Sequence, residues 1–217
     1  MASSARLGRS PFGLVKGAGR RTARALGRVS ARLRRLRTPG LLKGYDRLHL
    51  GSGGRLLEGW ANVDINGLGN IVWDLTKPLP LPPGQVRFVY TEHFIEHISL
   101  ADAGRLFGHA RRVMAPGSVI RVSTPDLKAI VTDYQSGRLV RMDHAQWYPA
   151  TPCQMLNESM HLWGHTFVYD ESELLRLLGE CGFTDIRRVG WGESEFPELR
   201  GLESRPDFDD LIVEARV

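Results

Sequence analysis

The stretch LHLGSGGRLLEGWANVDIN, from Leu48 to Asn66, limits the possible folds more than any other part of this chain. A short apolar run stops at three clustered glycines, Gly51, Gly53 and Gly54. A second run follows and ends on a lone acid, Asp64. Runs this short, rich in β-branched and apolar residues, read as strands. Only residues 51–60 separate them, barely the ~10–12 residues that a parallel crossover needs. The connection is therefore expected to be short or irregular. In open α/β sheets, ligands sit at the carboxyl ends of the strands. Glycine backbone there lets a ligand approach closely, and an acid ending the next strand can accept hydrogen bonds from two ribose hydroxyls.

The rest of the body fits this start. RLHL, ANVDI, IVWDL, VRFVYTEHFI and APGSVIRVSTPDL read as five strands, with the proline-rich TKPLPLPPGQ as a loop and Pro-Gly as a turn. Leu100, Ala103, Leu106, Phe107, Ala110 and Val113 recur at helical spacing in SLADAGRLFGHARRVM, with Ser99 or Asp102 near its start. In DESELLRLLGECGF, Leu174, Leu175, Leu177 and Leu178 face inward and Gly182 ends the helix. TDIRRVGWGE and DDLIVEARV close the sheet as antiparallel neighbours. Val- and Ile-rich strands separated by crossovers predict an α/β fold with a mostly parallel, seven-stranded sheet and helices on both faces. Residues 41–217 form this domain, with a helix-and-loop insertion on the substrate side at 127–168 that is rich in Tyr, Trp, His and Met.

Charge separates residues 1–40 from this body. Residues 1–38 hold eleven Lys or Arg and no acid, whereas the remainder has 18 bases against 24 acids. The net charge of +5 thus belongs to the arm, and the body is mildly acidic. Leu26, Val29, Leu33 and Leu36 predict one apolar helical face among the arginines, ending at Pro39 and Gly40. Such an arm suits an anionic membrane surface, nucleic acid phosphates or an organelle transit peptide. The apolar stripe favours the membrane. The acidic body disfavours nucleic acid, whose footprint would extend over the domain. No apolar run suits a membrane span or a secretory signal. Cys153 and Cys181 make neither a CxxC pair nor a disulfide framework, so the expected location is a reducing, cytoplasmic one, peripheral at the membrane through residues 1–38.

The glycine cluster is not the dinucleotide fingerprint. GxGxxG counted from Gly51 requires a small residue where Leu56 stands. Asp64 also follows sooner than the roughly 20 residues expected of dinucleotide folds. A ligand with adenosine but no pyrophosphate, such as S-adenosylmethionine, fits better. LHLGSG, GWANVD, DLTKPLPLP, TEHFIEHI, RRVMAPGS and STPDL, in that order, resemble the class I (Rossmann-like) S-adenosylmethionine-dependent methyltransferases, in particular a type-11-like group of predicted methyltransferases. GHTFVYDESELLRLLGECGFTDIRR and ESEFPELRGLESRP resemble the same group, and the resemblance spans about residues 46–217. It implies that Gly51, Ser52 and Gly53 lie against the amino acid part of S-adenosylmethionine. It places Asp64 on the ribose, Asp74 near the adenine N6, and Thr91, Glu92 and His93 toward the methionine and the acceptor. His49 stands where that group has Asn or Asp, and its bulk predicts weaker cofactor binding.

Methyl transfer from a sulfonium is an in-line displacement, and a nearby base helps a hydroxyl or amine lose its proton. His93, closest to the end of the fourth strand, is the expected base, with His97 in packing and Glu92 and Glu96 orienting the rings. Glu158, His161 and His165 have the i, i+3, i+7 spacing of one helical face, a conceivable metal set that Gly164 interrupts. The expectation is therefore no metal, with His161 and His165 lining a substrate lid beside Trp163 and Tyr169. Asp126 is a pocket residue or a helix N-cap. Trp147, Tyr148 and Trp163 offer flat rings to a sugar or aromatic acceptor, or pack a core. The expected reaction is O-methylation of a small-molecule or glycan-type acceptor. The alternatives are a nucleic-acid or protein methyltransferase and a non-catalytic binding module.

Overall fold

Seven strands form one sheet in the order β3-β2-β1-β4-β5-β7-β6 in the computed structural model, which describes residues 40–142, 145–205 and 209–217. They are β1 (Arg47–Leu50), β2 (Ala61–Asp64), β3 (Ile71–Val72), β4 (Val86–Glu92), β5 (Met114–Pro125), β6 (Thr184–Arg188) and β7 (Asp210–Arg216). The first five are parallel, and β7 runs antiparallel to β5 and β6. Strand order reverses between β1 and β4, the topological switch point where α/β sheets open a crevice at their carboxyl ends. The arm's apolar stripe lies outside the described residues. Residues 40–42 are helical, so Gly40 itself lies in a helical turn. Leu42 is fully buried, and Gln85 Nε2 donates to the carbonyls of Leu42, Lys43 and Tyr45, which fixes the entry into β1.

One face of the sheet carries helices. In α1 (Leu100–Val113), Ser99 caps the first turn by accepting from Asp102 N at 3.1 Å. Ala103, Leu106, Phe107, Ala110 and Val113 then face Leu48, Val89 and Ile120 of the sheet. After β5 come α2 (Leu127–Ser136) and α3 (Pro152–His161), packed on each other in the insertion. The insertion has its own small core of Met142, Trp147 and Met155. In α4 (Glu171–Glu180), capped by Asp170, Leu174, Leu177 and Leu178 join the main core, while Leu175 is only half-buried.

Irregular chain covers the opposite face. Phe88, Tyr90 and Val119 alternate out of the strands there and meet Trp60, Leu57, Phe196, Leu199 and Leu202. The covering segments are residues 51–60 and 189–205, whose only described helical turn is Pro197–Leu199. Helices were expected on both faces, and this face departs from that. Ten residues between β1 and β2 cannot hold a full crossover helix, and Gly190, Gly192, Pro197 and Gly201 break up the longer segment. The guanidinium of Arg121 lies buried beneath that segment. Its Nε bonds Glu203 Oε1 at 2.6 Å, and one terminal nitrogen reaches Glu214 Oε1 and the Glu193 carbonyl, both at 2.7 Å.

Three boundaries move for local reasons. β3 stops at Val72 because Asp74 Oδ1 accepts from Thr76 N and Oγ1, closing a turn. β4 stops at Glu92 because His93 takes a left-handed φ of 47°. Ala115–Pro116–Gly117–Ser118 does not separate α1 from β5. It lies inside β5, where the pairing jumps from Val86–Met114 to Phe88–Val119. No helix among the described residues is long and apolar enough to cross a membrane.

Candidate active site

The bend after β1 is held by two backbone bonds, from Gly51 N and Ser52 N to the Val63 carbonyl at 2.9 and 3.2 Å. Gly51 has φ 70°, and a Cβ there would lie 2.2 Å from the Phe94 ring, so the backbone and this ring together require glycine. Gly53 has φ 53°, yet a Cβ there would meet nothing within 4 Å. That peptide faces open space. The Asp64 side chain turns into the bend: Oδ2 accepts from Gly53 N at 2.9 Å and Oδ1 from Asn66 N at 2.8 Å. A carboxylate has about four lone-pair sites, so each oxygen keeps one for a ligand. Beside it, Ser52 Oγ is buried with no hydrogen-bond partner.

These groups line a cleft of ≈370 Å³ together with His49, Arg55, Glu92, His93, Phe94, His97, Ser204 and Arg205. The volume falls at the lower end of the range for small-ligand sites. Glu92 is not free toward the cleft. Its Oε2 pairs with Arg55 at 2.9 Å and its Oε1 accepts from Ser204 N at 2.6 Å. Thr91 is buried on β4, and its Oγ1 has no partner. Asp74 does not line the cleft. It closes the turn after β3. His49 is tucked under the bend, with Nδ1 3.1 Å from Asn62 Oδ1 and its ring 5.1 Å from that of Tyr90. Burial is the largest influence on this ring and lowers its pKa to about 4, so it is neutral near pH 7.

A second cavity of ≈330 Å³ adjoins the cleft, and the two share His93, His97 and Arg205. Its other walls are Met142, Ala145, Trp163 and His165, all from the insertion. His93 is clamped at the junction. Nε2 lies 2.9 Å from Asp210 Oδ1, and Nδ1 lies 3.4 Å from Glu96 Oε1. Burial alone would lower its pKa, but the hydrogen bonds it donates to Asp210 and Glu96 outweigh that and raise it to about 9. His93 is therefore an imidazolium near neutrality, with both nitrogens engaged by carboxylates. That arrangement does not suit the general base expected at this position. A base needs a free lone pair and a pKa near the working pH.

His165 is the opposite case. Its Nδ1 sits 2.8 Å from the Ser159 carbonyl, which can only accept. The proton is thus assigned to Nδ1, and Nε2 carries the lone pair. Burial keeps the ring below its ordinary pKa. His161 is exposed at the end of α3 and lines neither cavity. The Glu158–His161–His165 face does not assemble. Glu158 accepts from Trp147 Nε1 and Gln154 Nε2, and the helix stops before Trp163, which has φ 59°. Trp147 packs the insertion core, whereas Trp163 stays at the cavity wall. Asp126 caps α2 by accepting from Lys128 N at 2.9 Å. Sequence reasoning assigned no site role to Arg55, Phe94, Ser204, Arg205 or Asp210. The last three lie in or after ESEFPELRGLESRP, whose resemblance to the methyltransferase group was the only available signal.

The fold is that of class I, Rossmann-like S-adenosylmethionine-dependent methyltransferases. A SAM-dependent methyltransferase from Archaeoglobus fulgidus is similar, with a TM-score of 0.51 and 20% identity over 87% of this chain and 93% of that one. An S-adenosylmethionine-dependent methyltransferase from Mesorhizobium loti has a TM-score of 0.51 and 20% identity over 80% of this chain and 91% of that one. No family model matches the chain, and no curated protein matches it by sequence. At such identities the likeness establishes the fold, and the activity has to be argued from the site.

Proposed function

We propose that this chain is an S-adenosylmethionine-dependent methyltransferase that O-methylates a small-molecule or glycan-type acceptor. The observation that carries this reading is the Asp64 carboxylate, aimed at the glycine bend with lone pairs to spare in a cleft at the switch point. Asp64 would hold the ribose hydroxyls, the open peptide at Gly53 would lie against the amino acid part, and Ser52 lines the cleft beside them, whereas Thr91 is buried behind it. Asp74 lies outside the lining of this cleft. When bound, the cofactor supplies an electrophilic methyl group.

The chain's own contribution is alignment and exclusion of water. The acceptor would enter the cavity walled by Met142, Trp163 and His165 and meet the cleft at His93, His97 and Arg205. His93 acts there as a fixed positive charge and not as a base. The His165 Nε2 lone pair is the group able to take the acceptor's proton. Half-exposed Trp163 provides the flat ring that suits a sugar or aromatic acceptor.

Calorimetry with S-adenosylmethionine tests the reading. Wild type should bind one equivalent, and Asp64→Ala should weaken binding by about 1.5–3 kcal/mol, the usual cost of hydrogen bonds to a charged group. Unchanged affinity in Asp64→Ala would remove the ribose assignment. Binding with no methyl transfer to any acceptor fraction would favour a non-catalytic module.

A further inference from the structure

We propose that Glu96, His97 and His165 form a divalent transition-metal site, with Zn²⁺ the best match, in the wall of the second cavity. One potential ligand atom from each of the three lies within 4.8 Å of the others. His97 and His165 line that cavity, and their rings meet edge to face at 4.9 Å. Two imidazoles and a carboxylate with the fourth position open is a catalytic zinc donor set.

Three further features point to a cation. Glu96 is fully buried, and its Oε1 lies 3.4 Å from His93 Nδ1, a long contact that leaves this oxygen without a short hydrogen bond. That oxygen lies 3.8 Å from His97 Nε2. Its companion Oε2 is fixed by Thr124 Oγ1 at 3.0 Å. The His165 Nδ1–H is given to the Ser159 carbonyl, the supporting bond that fixes a metal-binding imidazole with Nε2 forward. His93, held by Asp210 through Nε2, also approaches this oxygen and fixes the carboxylate in place. Closing 4.8 Å to the roughly 3.3 Å between zinc ligands at ~2.0–2.1 Å from the ion requires a turn of the His97 imidazole toward the other two. His97, a third exposed, has room to make it.

A cation here would bind an acceptor hydroxyl through its open position and lower the pKa of that hydroxyl, so that the proton passes to water. His165 would then serve as a ligand in place of a base. This role rests on the methyl-transfer reading, but binding of the ion does not. Calorimetric titration of chelator-treated full-length protein with Zn²⁺, without S-adenosylmethionine, separates the two. One equivalent should bind with a micromolar or tighter Kd. His97→Ala and His165→Ala should each weaken binding at least tenfold, while His161→Ala, on an exposed ring, leaves it unchanged. Glu96→Gln should behave like the histidine variants. If it fails to fold, as shown by its thermal melt, the two histidine variants decide alone. Absence of binding, or binding that survives both His97→Ala and His165→Ala, would overturn the site while leaving the cofactor reading untouched.

Discussion

Gly51 and Gly53 look alike in the sequence and differ in what they do. Gly51 is required by its φ of 70° and by the Phe94 ring against it. Gly51→Ala should therefore destabilise the fold by at least about 2 kcal/mol, since the left-handed backbone alone costs roughly 1–2 kcal/mol for a residue with Cβ. Denaturant unfolding measures this. Gly53→Ala meets no atom, so it should cost about 1 kcal/mol of stability and instead impair ligand binding. His49 makes a separate prediction. Its folded pKa of about 4 lies below its ordinary 6.5. Its contribution is thus fully present above pH 6.5 and is lost as pH falls toward 4, by up to roughly 3 kcal/mol. A His49→Asn variant, with nothing to titrate there, should show a flatter acid limb in a pH series of unfolding free energies. An acid limb as steep as that of wild type would mean the ring is not buried uncharged.

Strands and helices were legible in proportion to how local their causes are. α1 and α4 announce themselves through a capping residue and a leucine or alanine stripe, and both form where the spacing puts them. The seven strands were readable from short apolar runs, but their ends were not. β3 is cut short by the Asp74 side chain and β4 by the backbone of His93, both single-residue events that periodicity does not register. The same limit governs the site. Asp64 and the glycine bend belong to adjacent strands, so spacing brings them together. Asp210 reaches His93 across 117 positions of sequence, and the pairing of β5 with β7 that permits it is a tertiary fact. In the insertion, Trp147 is a packing residue whose indole Nε1–H donates to Glu158 and whose backbone pairs with Met142. Trp147→Ala should remove about 3–5 kcal/mol of local packing. Hydrogen exchange should quicken through α2 and α3 and stay slow in β4 and β5. Uniform quickening would show that the insertion and the sheet unfold as one unit.

For the whole molecule, the second face of the sheet depends on Arg121. This one cation gathers Glu203, Glu214 and the Glu193 carbonyl, and so holds residues 190–204 over the strands. Arg121→Met leaves two buried carboxylates facing each other and should cost about 3–5 kcal/mol, read as a lowered denaturation midpoint. Because Ser204 and Arg205 follow directly, the variant should also loosen the cleft and raise the Kd for S-adenosylmethionine. A stability loss with unchanged affinity would uncouple the segment from the site. The other end of the molecule carries the junction with the basic arm. Leu42 is pinned beside Gln85, at the pole where β1 and β4 begin, whereas the cleft opens where they finish, roughly 20 Å away for a seven-residue strand. A surface gripped by the arm close to this junction would therefore lie beneath the protein, with the mouth of the cleft turned to the surrounding water. In that posture the acceptor would arrive by diffusion from solution, and a substrate embedded in the gripped surface would be on the wrong side.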